Sequence, residues 1–395
     1  SLAPILAFFP VIALTAVIPF GETVVPEAIV RTVCKNGTQY AAMVNDACPA
    51  GFSPETVWPA VPRHGIAAGL TAVPLQIATL NIGILYIFAI AGQGIVGAAI
   101  AGWSSDNKFS LMGALRAASQ MVSYEVTLGL TLVGAFMVYG SVRLEDMVLW
   151  QGENSWGIFV QPLAFFLFFA AAIAETKRIP FDLPEAESEL VSGYFTEYSG
   201  MKFGMFYFAE YMEIATSSML MVLIFLGGWH LPFLHRDGLT IAFGATELFH
   251  TRMPHVWVVI IGVLAFFGKT IFICWIQAFI RWSLPRFRYD QLMKLGWTVL
   301  LPASLANIFA TGIVWLAIDN AGPNAAGALK VAADVTQGFT AAVITGLILW
   351  AIVGFVRTPV RKEAIVGSSA KLAAAAGGTK EGPITDPGPI TTEAA

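Results

Sequence analysis

Acidic residues are concentrated in one short part of the sequence, where their spacing would suit proton transfer. Eight of the 26 Asp and Glu residues fall between Glu175 and Glu213. Glu210 and Glu213 lie one helical turn apart within an apolar stretch, so they would share one face of a helix. Glu125 is similarly embedded in apolar sequence. Carboxyl groups held in an apolar interior are typical of wet ion pathways, because burial brings their proton exchange towards neutral pH.

A second acidic group surrounds a break in the pattern at Pro184. Asp182, Glu185 and Glu189 have the spacing i, i+3 and i+7, so they would share a face of a helix that begins at the proline. These acids could instead complement the helix dipole and pair with the basic residues at 177, 178 and 202. Both interpretations stay open for Asp182 and Glu185. The second does not explain the acids in the apolar stretches, which lie too deep for a solvated helix cap.

The composition places these acids in a membrane protein. The chain has 395 residues, of which 56% are hydrophobic and 12% charged, with a mean hydropathy of +0.70. Soluble domains carry about a quarter charged residues, so this composition argues against a soluble enzyme and against a disordered protein. The net charge of −4 leaves no basic stripe for a nucleic acid. The sequence therefore predicts an all-α, polytopic transmembrane helix bundle.

Apolar runs of about 20 residues, the length that crosses a membrane, divide the chain into about eight predicted spans. They are Leu2–Phe20, Leu75–Trp103, Met121–Tyr139, Gly157–Ala174, Phe203–Gly228, Val256–Phe279, Thr298–Ile318 and Phe339–Val356. Residues 1–356 thus form the predicted membrane domain, with a long periplasmic loop at 21–74 and an acidic cytoplasmic loop or helix at 175–202. Residues 357–395 are predicted to form a largely disordered cytoplasmic tail.

Basic residues fix the predicted orientation of the spans. Of the 22 Lys and Arg residues, 14 fall in one set of loops and 7 in the opposite set, while Lys269 lies within a span. The positive-inside rule places the larger set, and with it the C-terminus, in the cytoplasm. Lys269 is expected either to balance one of the embedded acids or to extend its ammonium group to the membrane interface.

Other notable residues fit no catalytic or metal-binding pattern. The GxGxxG match at 92–97 lies inside a span with no strand before it, so its glycines, with Ala98 and Gly102, are predicted to pack against another helix. The five histidines are predicted to lie in solvated loops on the non-cytoplasmic side, and no metal site is expected. Cys34 and Cys48 share one polar loop and could form a disulfide in an oxidising compartment.

One known family has a signature that resembles AETKRIPFDLPEAESELVSGYFTEYSG (Ala174–Gly200) followed by FAEYMEI (Phe208–Ile214). This is the H subunit of proton-pumping NADH:quinone oxidoreductase, or respiratory complex I, whose mitochondrial counterpart is NADH dehydrogenase subunit 1. Two further stretches are similar to the same family, GWSSDNKFSLMGALRAASQMVSYEV (Gly102–Val126) and RWSLPRFRYDQLMKLGW (Arg281–Trp297). The resemblance extends from the first span to about Ile318.

The resemblance implies roles for the acidic residues. The H subunit joins the membrane arm of the complex to its hydrophilic arm and, with neighbouring subunits, forms the chamber in which quinone is reduced. By motif position, the resemblance implies a proton path through seven acids, Glu125, Glu175, Glu187, Glu189, Glu197, Glu210 and Glu213. It implies that three residues lie nearest the quinone chamber, Arg178, Asp182 and Glu185.

The resemblance also implies partners and a location. Quinone is the substrate at a shared site, whereas the flavin, the iron–sulfur clusters and the NADH site belong to other subunits, and this chain binds no metal. The expected partners are the iron–sulfur subunits of the hydrophilic arm, the small and antiporter-like membrane subunits, membrane lipid and quinone. The expected location is the bacterial inner (plasma) membrane.

The sequence departs from this family in three places, and two other functions stay open. It begins at what resembles the family's second helix, so an earlier helix and an Arg-rich quinone loop are expected to be missing. The loop at 21–74 is longer than usual, and the span Phe339–Val356 is additional. The alternatives are the homologous ion-translocating subunit of a membrane-bound hydrogenase complex and a purely structural membrane anchor. An anchor would need its embedded acids ion-paired, whereas only Lys269 lies within the spans.

Overall fold

The computed structural model describes residues 2–22, 31–36, 39–41, 53–57, 75–182, 193–235, 238–243 and 246–320, with a few residues between 335 and 346. The chain divides into two compact units, Ser1–Ala342 and Val343–Ala395. The predicted tail and most of the predicted eighth span lie outside the described residues. So does the predicted disulfide, because neither Cys48 nor the side chain of Cys34 is among them.

Helices make up most of the described chain. They are α1 Ala3–Thr15, α2 Gly83–Ala91, α3 Gln93–Trp103, α4 Lys108–Tyr139, α5 Leu144–Glu153, α6 Gly157–Val160, α7 Pro162–Glu175, α8 Met201–Phe225, α9 His255–Ser283, α10 Tyr289–Lys294 and α11 Leu301–Asn320. A short 3₁₀ helix covers Gly193–Phe195, and a π-helix at Leu295–Leu300 joins α10 to α11. The predicted all-α bundle is confirmed as the architecture of the membrane part.

Five of the helical segments are long and apolar enough to cross a membrane. They are Gly83–Trp103, Lys108–Tyr139, Met201–Phe225, His255–Ser283 and Tyr289–Ile318. Two shorter apolar helices, α1 and α7, have 13 and 14 residues. Seven of the eight predicted spans thus have a helical counterpart among the described residues, and the number eight stays a prediction.

The helix that carries Glu125 is longer than predicted. It begins at Lys108 because the side chain of Asn107 caps it, with Oδ1 accepting a hydrogen bond from Phe109 N at 3.0 Å. It ends at Gly140, whose φ of +65° is the left-handed conformation that commonly closes a helix. Hydropathy did not predict this start, because the first turns of the helix contain polar residues.

Small residues on α3 allow α4 to approach closely, as predicted from the spacing of the glycines. Gly94 faces Met121, and Gly102 faces Ala114 at the start of α4. A Cβ added at Gly102 would overlap that of Ala114 and would lie 2.9 Å from Ser110 O. Packing, and not nucleotide binding, therefore explains the GxGxxG region.

Replacing Gly102 by alanine is expected to destabilise the bundle by about 1–3 kcal/mol, because the added methyl group would overfill the α3–α4 contact. Gly129→Ala is the matched control, since a Cβ at that position of α4 meets nothing within 4 Å. Thermal unfolding of both variants in detergent would measure the difference. Equal melting temperatures for the two would contradict the close contact.

Two small antiparallel sheets lie in the connections and were not predicted. The first has the order β2-β1-β3, formed by Arg31–Asn36 (β1), Gln39–Ala41 (β2) and Ser53–Val57 (β3). The second has the order β4-β5-β6, formed by Leu234–His235 (β4), Gly238–Phe243 (β5) and Thr246–Arg252 (β6). The sequence of β5 and β6 contains Thr, Ile and Phe and is interrupted by a glycine. This pattern is typical of a β-hairpin, but hydropathy alone does not detect it.

The helix α4 forms the centre of the bundle. It packs against α3, α7 and α11, and its buried residues Tyr124 and Leu128 lie in the main hydrophobic core. The helix α8 packs against α1 and α9. The end of α7 lies beside α4, because Gln120 Nε2 on α4 donates a hydrogen bond to Ala174 O at 2.7 Å. Glu175 is therefore placed next to the central helix.

Candidate functional site

The loop Thr176–Asp182, termed the basic loop, lies inside the bundle and carries two buried cations. Lys177 and Arg178 are only 9% and 8% exposed. Lys177 follows the end of α7 with a φ of +55°, a conformation uncommon outside glycine, and Phe181 N then donates a hydrogen bond to Arg178 O at 2.7 Å. Buried charges are stable only when they are paired, so the partners of these two residues matter.

Both cations pair with the two carboxylates predicted to share a face of α8. Arg178 Nη2 lies 3.4 Å from Glu210 Oε2, and Lys177 Nζ lies 3.8 Å from Glu213 Oε2. Glu210 is 4% exposed, so its pair with Arg178 is buried on both sides. The predicted common face of Glu210 and Glu213 is confirmed. These cations enter from a loop, so the two acids are ion-paired although only Lys269 was expected within the spans.

Tyrosines on α8 also contact the Arg178 guanidinium group. Its Cζ lies 4.4 Å from the ring centre of Tyr211 and 6.0 Å from that of Tyr207. A cation over an aromatic face is attracted by the ring quadrupole. Sequence reasoning missed these two residues, although their spacing of four places them on one side of the helix next to Glu210.

A cavity of about 60 Å³ opens beside the ion pairs. Its polar lining comes from Glu175, Lys177, Glu210, Glu213, Thr216 and Ser217. Tyr194 and apolar residues of α1, α2, α3, α4, α7 and α8 close the remaining walls. This volume is large enough to hold ordered water, for which roughly 10–15 Å³ is sufficient. The carboxyl groups of three predicted proton-path residues thus face one common space.

Glu125 and Glu175 extend the acidic group towards α2 and α4. The Glu125 carboxylate lies beside Gly92, where an added Cβ would be 3.1 Å from Oε1. Glu175 is close enough to be repelled by the carboxylates of Glu213 and Glu125 and attracted by the ammonium group of Lys177. The structure therefore brings together Glu125, Glu175, Glu210 and Glu213.

Asp182, at the other end of the basic loop, pairs with Arg286. Arg286 Nη2 donates a hydrogen bond to Asp182 Oδ2 at 2.8 Å, and Asp182 is 6% exposed. The neighbouring residues strengthen the contact, since Phe287 N donates to Pro180 O at 3.0 Å and the rings of Phe287 and Phe181 stack at 5.5 Å. Arg286 was not predicted as a site residue, although it lies in the third stretch that resembles the family.

Among the described residues, the predicted site residue Glu197 does not join this group. Glu197 is exposed, and its Oε1 accepts a hydrogen bond from Asn107 Nδ2 at 3.0 Å, at the start of α4. Glu185, Glu187 and Glu189 lie outside the described residues.

Lys269 has a different partner from either one predicted. Its ammonium group donates to three backbone oxygens just past the end of α8, those of Leu226 at 2.8 Å, Gly228 at 3.0 Å and His230 at 2.7 Å. The chain turns through positive φ at Gly227 and Gly228, which lets these carbonyls converge. Trp156 lies against the same ammonium group, 4.3 Å from its ring centre. In the described part of the chain, Lys269 thus closes a helix end and balances no carboxylate.

The match to one family covers most of the chain. The sequence profile of the NADH dehydrogenase family matches residues 52–312. The relative named as NADH-quinone oxidoreductase H subunit 1 in Geobacter sulfurreducens is 41% identical over 313 residues, which are 79% of this chain and 74% of that protein.

Two other relatives agree. The NADH-quinone oxidoreductase H subunit 1 of Cytophaga hutchinsonii is 44% identical over 240 residues, 61% of this chain and 66% of that protein. The corresponding H subunit of Flavobacterium psychrophilum is 43% identical over 242 residues, 61% of this chain and 67% of that protein. The chain spans about two thirds of the length of these two relatives. The resemblance carried by Ala174–Gly200 is confirmed, and the chain belongs to the NADH dehydrogenase family, in the group of the H subunits of NADH-quinone oxidoreductase.

Proposed function

We propose that this chain, as the H subunit of an NADH-quinone oxidoreductase, couples quinone reduction to proton transfer through its buried acids. The observation that carries the proposal is the cavity lined by Glu175, Glu210 and Glu213 together with Lys177. Ionisable groups inside a membrane are expensive to bury and usually mark an ion pathway. The names of the relatives favour quinone as the electron acceptor over the hydrogenase alternative.

The basic loop provides the physical link between the two events. Quinone takes up two electrons and two protons to become quinol, and negative charge accumulates beside Asp182 before the protons arrive. Asp182 is joined through the loop to Lys177 and Arg178, which pair with Glu213 and Glu210. A charge in a low-dielectric interior acts strongly over a few ångströms. The affinities of the acids for protons therefore change together when the quinone is reduced.

The proposal includes residues and partners beyond the described cavity. Arg178, Asp182 and Glu185 lie at the quinone chamber, and Glu187, Glu189 and Glu197 continue the path with Glu125. The electrons come from iron–sulfur subunits of a hydrophilic arm, and the protons pass on to small and antiporter-like membrane subunits. The complex lies in the bacterial inner membrane with the C-terminus of this chain in the cytoplasm.

Glu210→Gln and Glu213→Gln test the proposal, because each change keeps the shape of the side chain and removes the exchangeable proton. We expect quinone-linked NADH oxidation and proton pumping in membrane vesicles to fall about tenfold or more. Glu153→Gln is the matched control, since this acid is exposed at the end of α5. NADH oxidation by a water-soluble acceptor reports whether the complex has assembled.

A structural membrane anchor is the second candidate, and one observation favours it. Glu210 and Glu213 are both ion-paired, as an anchor requires, with cations from the basic loop. If both glutamine variants assemble, turn over and pump as the control does, the proton path is wrong and the anchor stands. Lost pumping in an assembled complex would exclude the anchor.

A further inference from the structure

We propose that Gln120 is a positioning residue. It holds the basic loop in the position in which Lys177 and Arg178 pair with the carboxylates of α8. Gln120 lies on α4 and is completely buried. Its side-chain Nε2 donates one hydrogen bond to Ala174 O at 2.7 Å and another to Phe181 O at 2.8 Å. This role rests on the proposed function. It adds to that function a residue that contacts no reacting group and acts only through the position of the loop.

The two carbonyl groups that Gln120 binds lie before and after Lys177 and Arg178 in the sequence. Ala174 lies in the last turn of α7, before Lys177 and Arg178, and Phe181 follows them. A single amide group therefore ties together the two ends of the segment that carries both positive charges. Ala174 O also accepts from Lys177 N at 3.4 Å, so the shorter bond from Gln120 acts at the point where the chain leaves the helix.

Other contacts hold each end of this loop separately. At its start, Thr176 N and Oγ1 donate hydrogen bonds to Ala172 O at 3.1 Å and to Ile173 O at 3.0 Å, both on α7. At the far end of the loop, Phe287 N donates a hydrogen bond to Pro180 O and the Phe287 ring stacks on that of Phe181. Arg286 pairs with Asp182 at the same end.

Each of these contacts holds one end of the loop, whereas the Gln120 amide joins the two ends to each other, so its loss would allow them to shift apart. A shift would change the 3.4 Å and 3.8 Å separations of the two ion pairs, and with them the electrostatics of Glu210 and Glu213.

The chemistry of the side chain suits this task. The amide of glutamine supplies two N–H donors from one nitrogen, which is what two nearby carbonyl oxygens require. Leucine has no donor at all. An ionised glutamate has only acceptors and would repel both carbonyls, whereas a protonated glutamate has one O–H donor.

Gln120→Leu and Gln120→Glu, made in the intact membrane complex, test this role. We expect Gln120→Leu to lower kcat for quinone reduction about tenfold to a hundredfold with a smaller change in KM, since misplacement of a site by about 1 Å has effects of this size. We expect the activity of Gln120→Glu, relative to the unchanged protein, to rise as the pH falls, because protonation restores one donor.

The matched control is Gln151→Leu. Gln151 is a buried glutamine on α5 whose Nε2 also donates to two backbone oxygens, Leu223 O at 2.8 Å and Met147 O at 3.2 Å, away from the acidic group. Its loss tests the stability effect of a buried amide alone. We expect Gln151→Leu to lower the amount of assembled complex without changing the pH profile or kcat per assembled complex.

The outcomes separate this role from the proposed function. If Gln120→Leu matches Gln151→Leu in kcat per assembled complex, or if Gln120→Glu shows no recovery at low pH, Gln120 is a packing residue and the positioning role is wrong. Should Gln120→Leu fail to assemble, the pH profile of Gln120→Glu decides. If instead Glu210→Gln and Glu213→Gln retain full pumping, the proposed function fails first, whatever the Gln120 variants do.

Discussion

Replacing Arg178 by methionine is expected to destabilise the bundle by about 3–5 kcal/mol, the usual effect of removing one member of a buried ion pair. The guanidinium group is 3.4 Å from Glu210, and both side chains are almost fully buried. Methionine fills a similar volume but leaves the carboxylate without this cation and removes the contact with Tyr211. The melting temperature of the purified protein in detergent would measure the loss.

A second change should reverse much of this effect. Arg178→Met combined with Glu210→Gln also removes the carboxylate that Arg178 pairs with, so the double variant is expected to be more stable than Arg178→Met alone. Arg281→Met is the matched control, because Arg281 is exposed in the last turn of α9, and its effect should stay within about 0.5 kcal/mol. A double variant as unstable as the single one would show that packing, not charge, is responsible.

Replacing Lys269 by methionine is expected to be similarly damaging, by about 3 kcal/mol or more. Its ammonium group satisfies three carbonyl oxygens beyond the end of α8, and a buried acceptor left without a donor costs about 1–3 kcal/mol. Methionine keeps much of the length and none of the donors. Thermal unfolding in detergent measures the effect, and the last turn of α8 should become the part that exchanges amide hydrogens fastest.

Lys202→Met is the control for this variant, because Lys202 is exposed near the beginning of α8, at the opposite end from the carbonyls that Lys269 binds. Its loss should change the melting temperature little. The ion pairs of Glu210 and Glu213 do not involve Lys269, so the assembled Lys269→Met complex should retain its kcat. Equal stability of the Lys269→Met and Lys202→Met variants would mean that water serves these carbonyls as well as the ammonium group does.

The sequence was sufficient to find the carboxylates and the family, for identifiable physical reasons. An acid within an apolar run stands out in any measure of hydropathy, and a spacing of three residues fixes the common face of Glu210 and Glu213. The run Ala174–Gly200 is long and specific enough to indicate the family by itself. The bundle follows from the same apolar runs that define the spans.

The partners of those carboxylates could not be predicted in the same way. Lys177 and Arg178 lie in a polar stretch that any span prediction assigns to solvent, and only tertiary structure shows that it folds inward. The contacts from Gln120 and Arg286 depend on residues that are far apart in sequence. The partners of Lys269 could not be predicted from the types of nearby side chains, because they are backbone oxygens.

The origin of the two cations in the basic loop has a consequence for biosynthesis. Lys177 and Arg178 precede Glu210 and Glu213 along the chain, so they leave the ribosome before α8 does. The counter-charges are therefore already present when the nascent helix with its two acids is released from the insertion machinery into lipid. Both ion pairs can therefore form as soon as α8 is released, without waiting for any later part of the chain.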